Sequence, residues 1–329
     1  MNRYILIPAL LLVMLCSSLQ AQGIRKYAGE FMAIDVSARA QALGGAFTAM
    51  SDDVYASFYN PAGLVQIDGL QVGFTHTQQF LSSINYDYLG VARPFSANGV
   101  VGLSLIRLGV DNIKDSRAAA ILDDNGGLLG IDESAIENFN SSDYVALLSL
   151  GQRVGSRWSW GVNLKMIRRN LTDNNSANGV GLDAGLFMAV NHKWRVSAML
   201  RNATTTLITW DTGEKELVSP TLRIGTSYRV QVAGLNSYFV PLFDVVVQSE
   251  STTNLTENSL GGGLLGGAVG GEFVYQEKLF IRGGYDDLQR VNLGVGIAIP
   301  HVGIDYSFTR YDQELGNAHR IGILINFKE

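Results

Sequence analysis

Few residue sets in this chain have the spacing that chemistry at a protein site requires. The four histidines, His76, His192, His301 and His319, lie far apart and match none of the motifs that bring ligands to one ion, so neither a metal nor another cofactor is expected. Asp52 and Asp53 form an acidic pair. Adjacent residues do not share a face of a helix or strand, so a capping or turn role suits them better than paired acid–base work. Thr75-His76-Thr77 sends neighbouring side chains to opposite faces, which keeps a hydroxyl nucleophile away from the base beside it. Gly261-Gly262-Gly263 through Gly266-Gly267 lacks the Lys-Ser/Thr of a phosphate-binding loop and reads as a loop entering a strand. A net charge of −5 lacks the clustered basic face of nucleic-acid binders. The chain reads as a non-enzymatic protein.

The elements that would have to position any site repeat one pattern. From about residue 68 onward, segments of roughly ten residues alternate apolar with small or polar side chains and are separated by turn residues, as in a transmembrane β-barrel. In the final segments Val302, Ile304, Tyr306 and Phe308 alternate with Gly303, Asp305, Ser307 and Thr309, and then Ile321, Ile323, Ile325 and Phe327 form a second oily row. Fourteen such segments can be read: 70–80, 86–95, 100–110, 144–154, 158–168, 180–190, 194–202, 222–232, 238–248, 268–276, 279–285, 291–299, 302–311 and 320–327. Both faces of 238–248 are apolar and Pro241 interrupts it, so a bulge or bend is expected there. In this register Val295 and Ile304 face lipid, whereas Asn292 and Asp305 face the lumen.

Connections alternate short with long. Asp111 to Asp143 is the longest, with Ala118 to Leu122 as a short helix inside it; 204–219 and 249–265 are the other long loops. Tyr86, Tyr88, Trp158, Trp160, Trp194 and Tyr306 stand near segment ends and suit interfacial aromatic girdles. Glycine, 37 of the 329 residues, recurs inside segments, as at Gly179, Gly181 and Gly185, and leaves room for another backbone or a plug to approach.

Alternation alone also describes a soluble sheet. The amino terminus decides otherwise: Asn2-Arg3-Tyr4 is a positive start, Ile5 to Leu15 is a short apolar stretch, and Ala21 suits cleavage of a secretory signal peptide, residues 1–21. That stretch is too short to anchor as a helix. The bulky Leu15 argues against lipidation of Cys16, the single cysteine, which leaves with the signal, so no disulfide is expected. The carboxyl terminus, with Phe327 two residues from the end, resembles the signal read by the outer-membrane assembly machinery. The expected location is the bacterial outer membrane.

Residues 22–66 differ from the rest. Gly44-Gly45-Ala46-Phe47, then Asp52-Asp53, then Asn60-Pro61-Ala62-Gly63-Leu64 resemble the amino-terminal signature of the PorV/PorQ group of outer-membrane proteins, itself similar to the FadL transporters. Gly271-Glu272-Phe273, Ile281 to Tyr285 and Gly303 to Phe308 resemble that group's last strands. The resemblance implies an all-β, antiparallel transmembrane barrel of about 14 strands, residues 67–329, with a small amino-terminal helical hatch in the lumen, residues 22–66. It makes Gly44, Gly45, Asp52, Asp53, Asn60, Pro61, Ala62 and Gly63 the candidate hatch or gating residues. It implies a carrier or docking role in type IX-like protein secretion, with secreted cargo and a larger secretion channel as partners. The alternative is passage of hydrophobic small molecules such as fatty acids.

Overall fold

The structure, a computed structural model, describes residues 30–79, 83–122, 126–172, 175–232, 236–248, 259–260, 263–311 and 317–327. The signal peptide and Cys16 lie outside the described residues, as do residues 22–29 of the expected hatch.

Among the described residues, fourteen long antiparallel strands form one closed barrel. They are β1 (Leu70–Gln79), β2 (Ile84–Ser96), β3 (Gly99–Asp115), β4 (Glu137–Val154), β5 (Trp158–Thr172), β6 (Asn175–Ala189) and β7 (Trp194–Arg201). The second half adds β8 (Thr221–Tyr228), β9 (Ser237–Gln248), β10 (Gly263–Tyr275), β11 (Leu279–Tyr285), β12 (Val291–Ile299), β13 (Val302–Thr309) and β14 (Ala318–Phe327). Each pairs with its neighbours in sequence, and β1 closes the ring on β14 from Leu70↔Phe327 to Gln78↔His319. Closure leaves no edge strand with unpaired N–H and C=O groups, as a sheet in hydrocarbon requires.

The alternation sorts side chains as the sequence suggests. Along β12, Val291, Leu293, Val295, Ile297 and Ile299 are exposed on the outer face while Asn292 is fully buried inside. Ile304 and Tyr306 of β13 likewise face out, whereas Ser307 and Thr309 face in. Two aromatics depart from the expected girdle. Asp87 lies on the outer face of β2, so Tyr86 and Tyr88 on either side of it turn inward, where each is 1% exposed. Trp158, Trp160, Trp194 and Tyr306 remain on the outer face.

One rim carries short turns at 97–98, 155–157, 190–193, 276–278 and 300–301. Positive φ at Gly155 (66°) and His301 (68°) lets those chains reverse tightly. The other rim carries the long connections, the arrangement of barrels with short periplasmic turns. Three of the sequence expectations are corrected there. The 111–143 segment is less a loop than an extension of the wall: β3 and β4 keep pairing past a register shift between Val110 and Ile113, out to Asp115↔Glu137. The expected helix at 118–122 is instead a 3-10 turn, Arg117–Ala119, running into a short strand, Ala120–Leu122, which pairs with Leu128–Ile131. The 204–219 loop contains two strand pieces. Thr206–Trp210 continues β7 along β6 after a break marked by positive φ at Asn202 (53°) and Thr205 (59°), and Lys215–Val218 pairs back onto it.

No bulge occurs at Pro241. β9 pairs without a shift to β10 through Pro241↔Gly271, and the interruption falls on the facing strand at Arg229. Proline lacks an N–H, so the ladder loses a bond at that point without losing register.

Arginine on the lipid face near mid-bilayer costs about 2–4 kcal/mol. Val295→Arg, at the centre of β12, should therefore sharply lower the fraction of chain that folds into vesicles, while Val295→Leu should fold like the parent. The readout is the shift in gel migration between unboiled and boiled samples, which a closed barrel shows; equal folding of both variants would contradict the register.

Candidate functional site

Residues 36–64 are packed against the inward faces of strands around the whole ring. Within this inner segment are two single-turn helices, α1 (Ala38–Ala42) and α2 (Ala56–Tyr59), and a 3-10 stretch at Pro61–Gln66. Ser37 caps α1 by accepting from Ala40 N. Such short helices are not stable alone; what holds them is the wall.

Small residues on the wall make the approach possible. A side chain at Gly161 of β5 would collide with the backbone of Pro61, and one at Gly284 of β11 would collide with the backbone of Leu43 and Gly44. Polar side chains then reach in from the strands. Asn163 donates to Ser57 O at 2.8 Å and Ser159 donates to Ala62 O at 2.7 Å. Tyr86 and Tyr88 donate to Ile34 O and Val54 O at 3.2 and 3.0 Å. From the far wall, Arg223 donates to Gly45 O at 3.0 Å, and Asp244 accepts from Thr48 N at 3.2 Å.

The candidate residues divide by role. Gly44 and Gly45 both have positive φ, 67° and 75°, in the turn after α1, and Gly44 lies against the Tyr285 backbone with no room for a side chain. Gly63 lies against Ser51 O just as tightly. Asn60 is extended and fully buried; its Oδ1 accepts from Ala62 N at 3.1 Å and its Nδ2 donates to Leu186 O of β6 at 3.1 Å. Pro61 follows in the first position of the 3-10 stretch, and Ala62 is wholly buried.

Asp52 and Asp53 belong to an ion network that nothing in their local sequence announces. Arg39 of α1 reaches Asp52 at 2.7 Å, Asp53 at 3.4 Å and Glu272 of β10 at 3.2 Å. Glu272 also binds Arg282 of β11 at 2.6 Å, and Arg282 pairs with Asp305 of β13. Arg195 of β7 closes on Asp52 at 3.4 Å. Arg39 thus links the inner segment to strands that are distant in sequence. The signal available beforehand was the inward register of Glu272 and Arg282, charged residues on the small-residue face of otherwise apolar strands.

Within this network, four carboxylates face three guanidiniums. Asp53 carries the imbalance: burial raises its carboxyl to about 7, with the charge of Asp52 adding to the effect and Arg39 opposing it. Asp53 also accepts from Tyr55 N at 3.0 Å, the turn role expected of it. Burial acts on Asp52 the same way, but the guanidiniums of Arg39 and Arg195 more than reverse it and hold its carboxyl below the usual range.

The lumen is not uniform. Toward the short-turn rim its wall is polar, with Asn163, Lys165, Asp183 and Ser149 buried there. Toward the long-loop rim, Ile106, Val145, Ile167 and Ile208 face inward and pack with Phe31 of the inner segment, and just beyond them Asp143 pairs with Arg169 at 2.9 Å. No group of residues among those described could hold a metal ion.

The chain belongs to the uncharacterised protein family UPF0164, whose model matches residues 17–192. No curated protein sequence matches it. Among solved structures it is similar to the toluene transporter TodX of P. putida, at 12% identity and a TM-score of 0.54, covering 84% of this chain and 94% of that one. It is similar to the CymD monoaromatic hydrocarbon channel, at 13% identity and a TM-score of 0.56, covering 89% and 98%. A Pseudomonas aeruginosa FadL homologue aligns at 11% identity and a TM-score of 0.50, covering 93% and 99%. At these identities the likeness is one of fold alone: a closed antiparallel barrel.

Because Asp53 holds its proton more tightly in the folded chain than its ordinary value of 3.8, the packed segment is favoured at low pH, and that advantage is lost as pH rises towards about 7. Hydrogen exchange of residues 50–60 should therefore quicken between pH 5 and 7.5 beyond its intrinsic rate. Asp53→Asn should flatten this dependence; a profile unchanged by the substitution would contradict the assignment.

Proposed function

We propose that this chain is a non-enzymatic outer-membrane passage that admits a small hydrophobic solute from the long-loop side. After loss of a signal peptide at 1–21, residues 22–66 act as a hatch inside a barrel of residues 67–329. The observation that carries this reading is an apolar patch on the lumen wall, Ile106, Val145, Ile167 and Ile208 packed with Phe31, just inside the Asp143–Arg169 pair of the long-loop rim. A water-filled porin presents a polar interior throughout; an apolar patch uncovered by a shift of Phe31 would take up a solute that leaves water readily. The relatives in fold include proteins described as a toluene transporter and a monoaromatic hydrocarbon channel, which agrees with a hydrophobic solute.

In this reading Gly44, Gly45 and Gly63 let the hatch turn closely against the wall. Asp52, Asp53, Asn60, Pro61 and Ala62 anchor it at points that can release. Apart from its chain connection into β1, the hatch is held to the wall by hydrogen bonds, ion pairs and apolar packing, so it can shift locally while the ring stays closed.

A second reading, docking of secreted cargo as in the PorV/PorQ resemblance, is favoured by one feature. The hairpin beyond β3 carries exposed Ile121, Leu128, Leu129 and Ile131, the last three between 57% and 69% exposed. Clustered apolar side chains on a projecting loop suit protein contact.

Uptake of a labelled hydrophobic solute and the profile of surface proteins, measured in cells at matched barrel levels, separate the two. Asn60→Ala with Pro61→Ala loosens the hatch and should change uptake several-fold while leaving the surface profile intact. Ile106→Asp, which places a charge in the apolar patch of the lumen wall, should lower uptake. Deletion of residues 126–131 should leave steady-state uptake near the parental level. Loss of surface proteins on that deletion, with uptake unaffected by the hatch variant, would overturn passage in favour of docking.

A further inference from the structure

The outer face of β1 to β6 carries an irregularity that the passage does not use. At one level the apolar belt gives way to a row of successive register partners: His76, Asp87, Arg107, Tyr144, Arg168 and Asn178. Two residues closer to the short-turn rim, the matching row is Phe74, Leu89, Leu105, Ala146, Met166 and Val180. Every member of that row except Ala146 is a large apolar side chain between 44% and 53% exposed. Ala146 leaves a gap between Leu105 and Met166, and a groove of about 520 Å³ opens there, with Arg107, Tyr144, Arg168 and Asn178 along its polar edge. That volume is typical of small-molecule clefts, roughly 300–1,000 Å³.

Charges along the edge are unequally matched. Asp87 binds His76 at 2.6 Å and stands 3.7 Å from Arg107, which also faces Asp111 at 3.8 Å. Arg168 has only neutral partners among the described residues: its Nε donates to Asn170 Oδ1 at 3.1 Å and its Nη1 to Asn178 Oδ1 at 3.0 Å. Asn170 and Asn178 hold the guanidinium in place without neutralising it, at the border of a surface that faces hydrocarbon. An uncompensated cation there is costly unless an anion joins it. A guanidinium also matches the oxygens of a phosphate with two parallel N–H donors.

From this row and this groove we infer that the outer wall of β3 to β6 is a seat for one phosphate-bearing lipid of the leaflet at the long-loop rim, its phosphate on Arg168 with Arg107 and one acyl chain in the groove over Ala146. The inference rests on the membrane placement proposed above and is independent of which solute crosses the lumen. The occupant is a lipid because the apolar part of the seat lies in the lipid-facing belt and its polar edge lies on the side towards the headgroups. A basic edge at headgroup level is a general means of holding anionic lipids.

The test uses the full-length barrel in detergent micelles, with phosphatidic acid or a diacylglycerol of the same chains added, and native mass spectrometry to count retained lipids. One phosphatidic acid per barrel should be retained where diacylglycerol is not. Arg168→Gln, which keeps hydrogen bonding but removes the charge, should weaken that binding about tenfold, the order expected for loss of one charge-assisted contact. Ala146→Phe fills the groove without touching either arginine and should weaken it similarly. Parental retention by either variant, equal retention of the two lipids, or displacement of phosphatidic acid by millimolar inorganic phosphate would overturn the lipid seat. Both variants should keep the parental difference in gel migration before and after boiling, which shows that they fold. A chain that proved soluble without detergent would sink the membrane placement itself, whereas a detergent-dependent barrel without lipid preference would sink only the seat.

Discussion

Pairing of β1 with β14 is the constraint from which the rest of the structure follows. Once Leu70 pairs with Phe327, every strand has two neighbours, and the ring can stand in hydrocarbon with its backbone bonds satisfied internally. Closure also divides each strand into an outer and an inner row, because side chains alternate with a period of two. The outer row becomes nearly uniform in character, apolar and exposed. All chemical variety is thereby forced onto the inner row, the loops and the few places where the outer row is interrupted.

A ring of this many strands encloses more space than its own side chains fill. The inner segment fills it, and the way it does so accounts for two compositional oddities. Glycines on the wall, at Gly161 and Gly284 among others, exist where the backbone of the segment comes closest. Charged residues on the inner face exist where the segment brings an opposite charge: Glu272 and Arg282 would be poorly placed in an empty lumen, but with Arg39 they form a continuous ion network. Buried ion pairs contribute little net stability, because desolvation offsets their attraction, yet removing one partner leaves an isolated charge and is strongly unfavourable. A network of this kind fixes where the segment sits more than how firmly the barrel holds together.

The two halves of the lumen differ in the partners they can offer. Near the short-turn rim the wall presents amides, hydroxyls and charges that bind the segment's backbone; further up it presents Ile106, Val145, Ile167 and Ile208, capped by the Asp143–Arg169 pair. The outer surface is graded along the same axis, with an apolar belt bounded by a polar row at His76 to Asn178. Both gradients run along the barrel axis, so the molecule offers an apolar patch on the inside at about the level where its outside turns polar.

Much of the architecture could be read from the sequence, because a period of two is a local property. All fourteen segments recognised by alternation correspond to strands, and 70–80, 279–285 and 291–299 match within a residue. The facing of Val295 and Asn292 followed from the same periodicity. The turn role of Asp53 was likewise legible, since it depends on a hydrogen bond within two residues of chain. What the sequence could not settle was anything that depends on which residues meet across the ring. Strands β3 and β4 extend past their apolar cores because they pair with each other, not because either segment signals it. Tyr86 and Tyr88 have the residue type of a girdle, but the register that places Asp87 outward sets both inside the ring. Arg39 meets Glu272 across more than two hundred residues of chain, and the row from His76 to Asn178 draws on six strands, none of which hints at the others. Local alternation determined the barrel; the ion network, the two-faced lumen and the outer groove were decided by closure, which alone sets distant residues at one level.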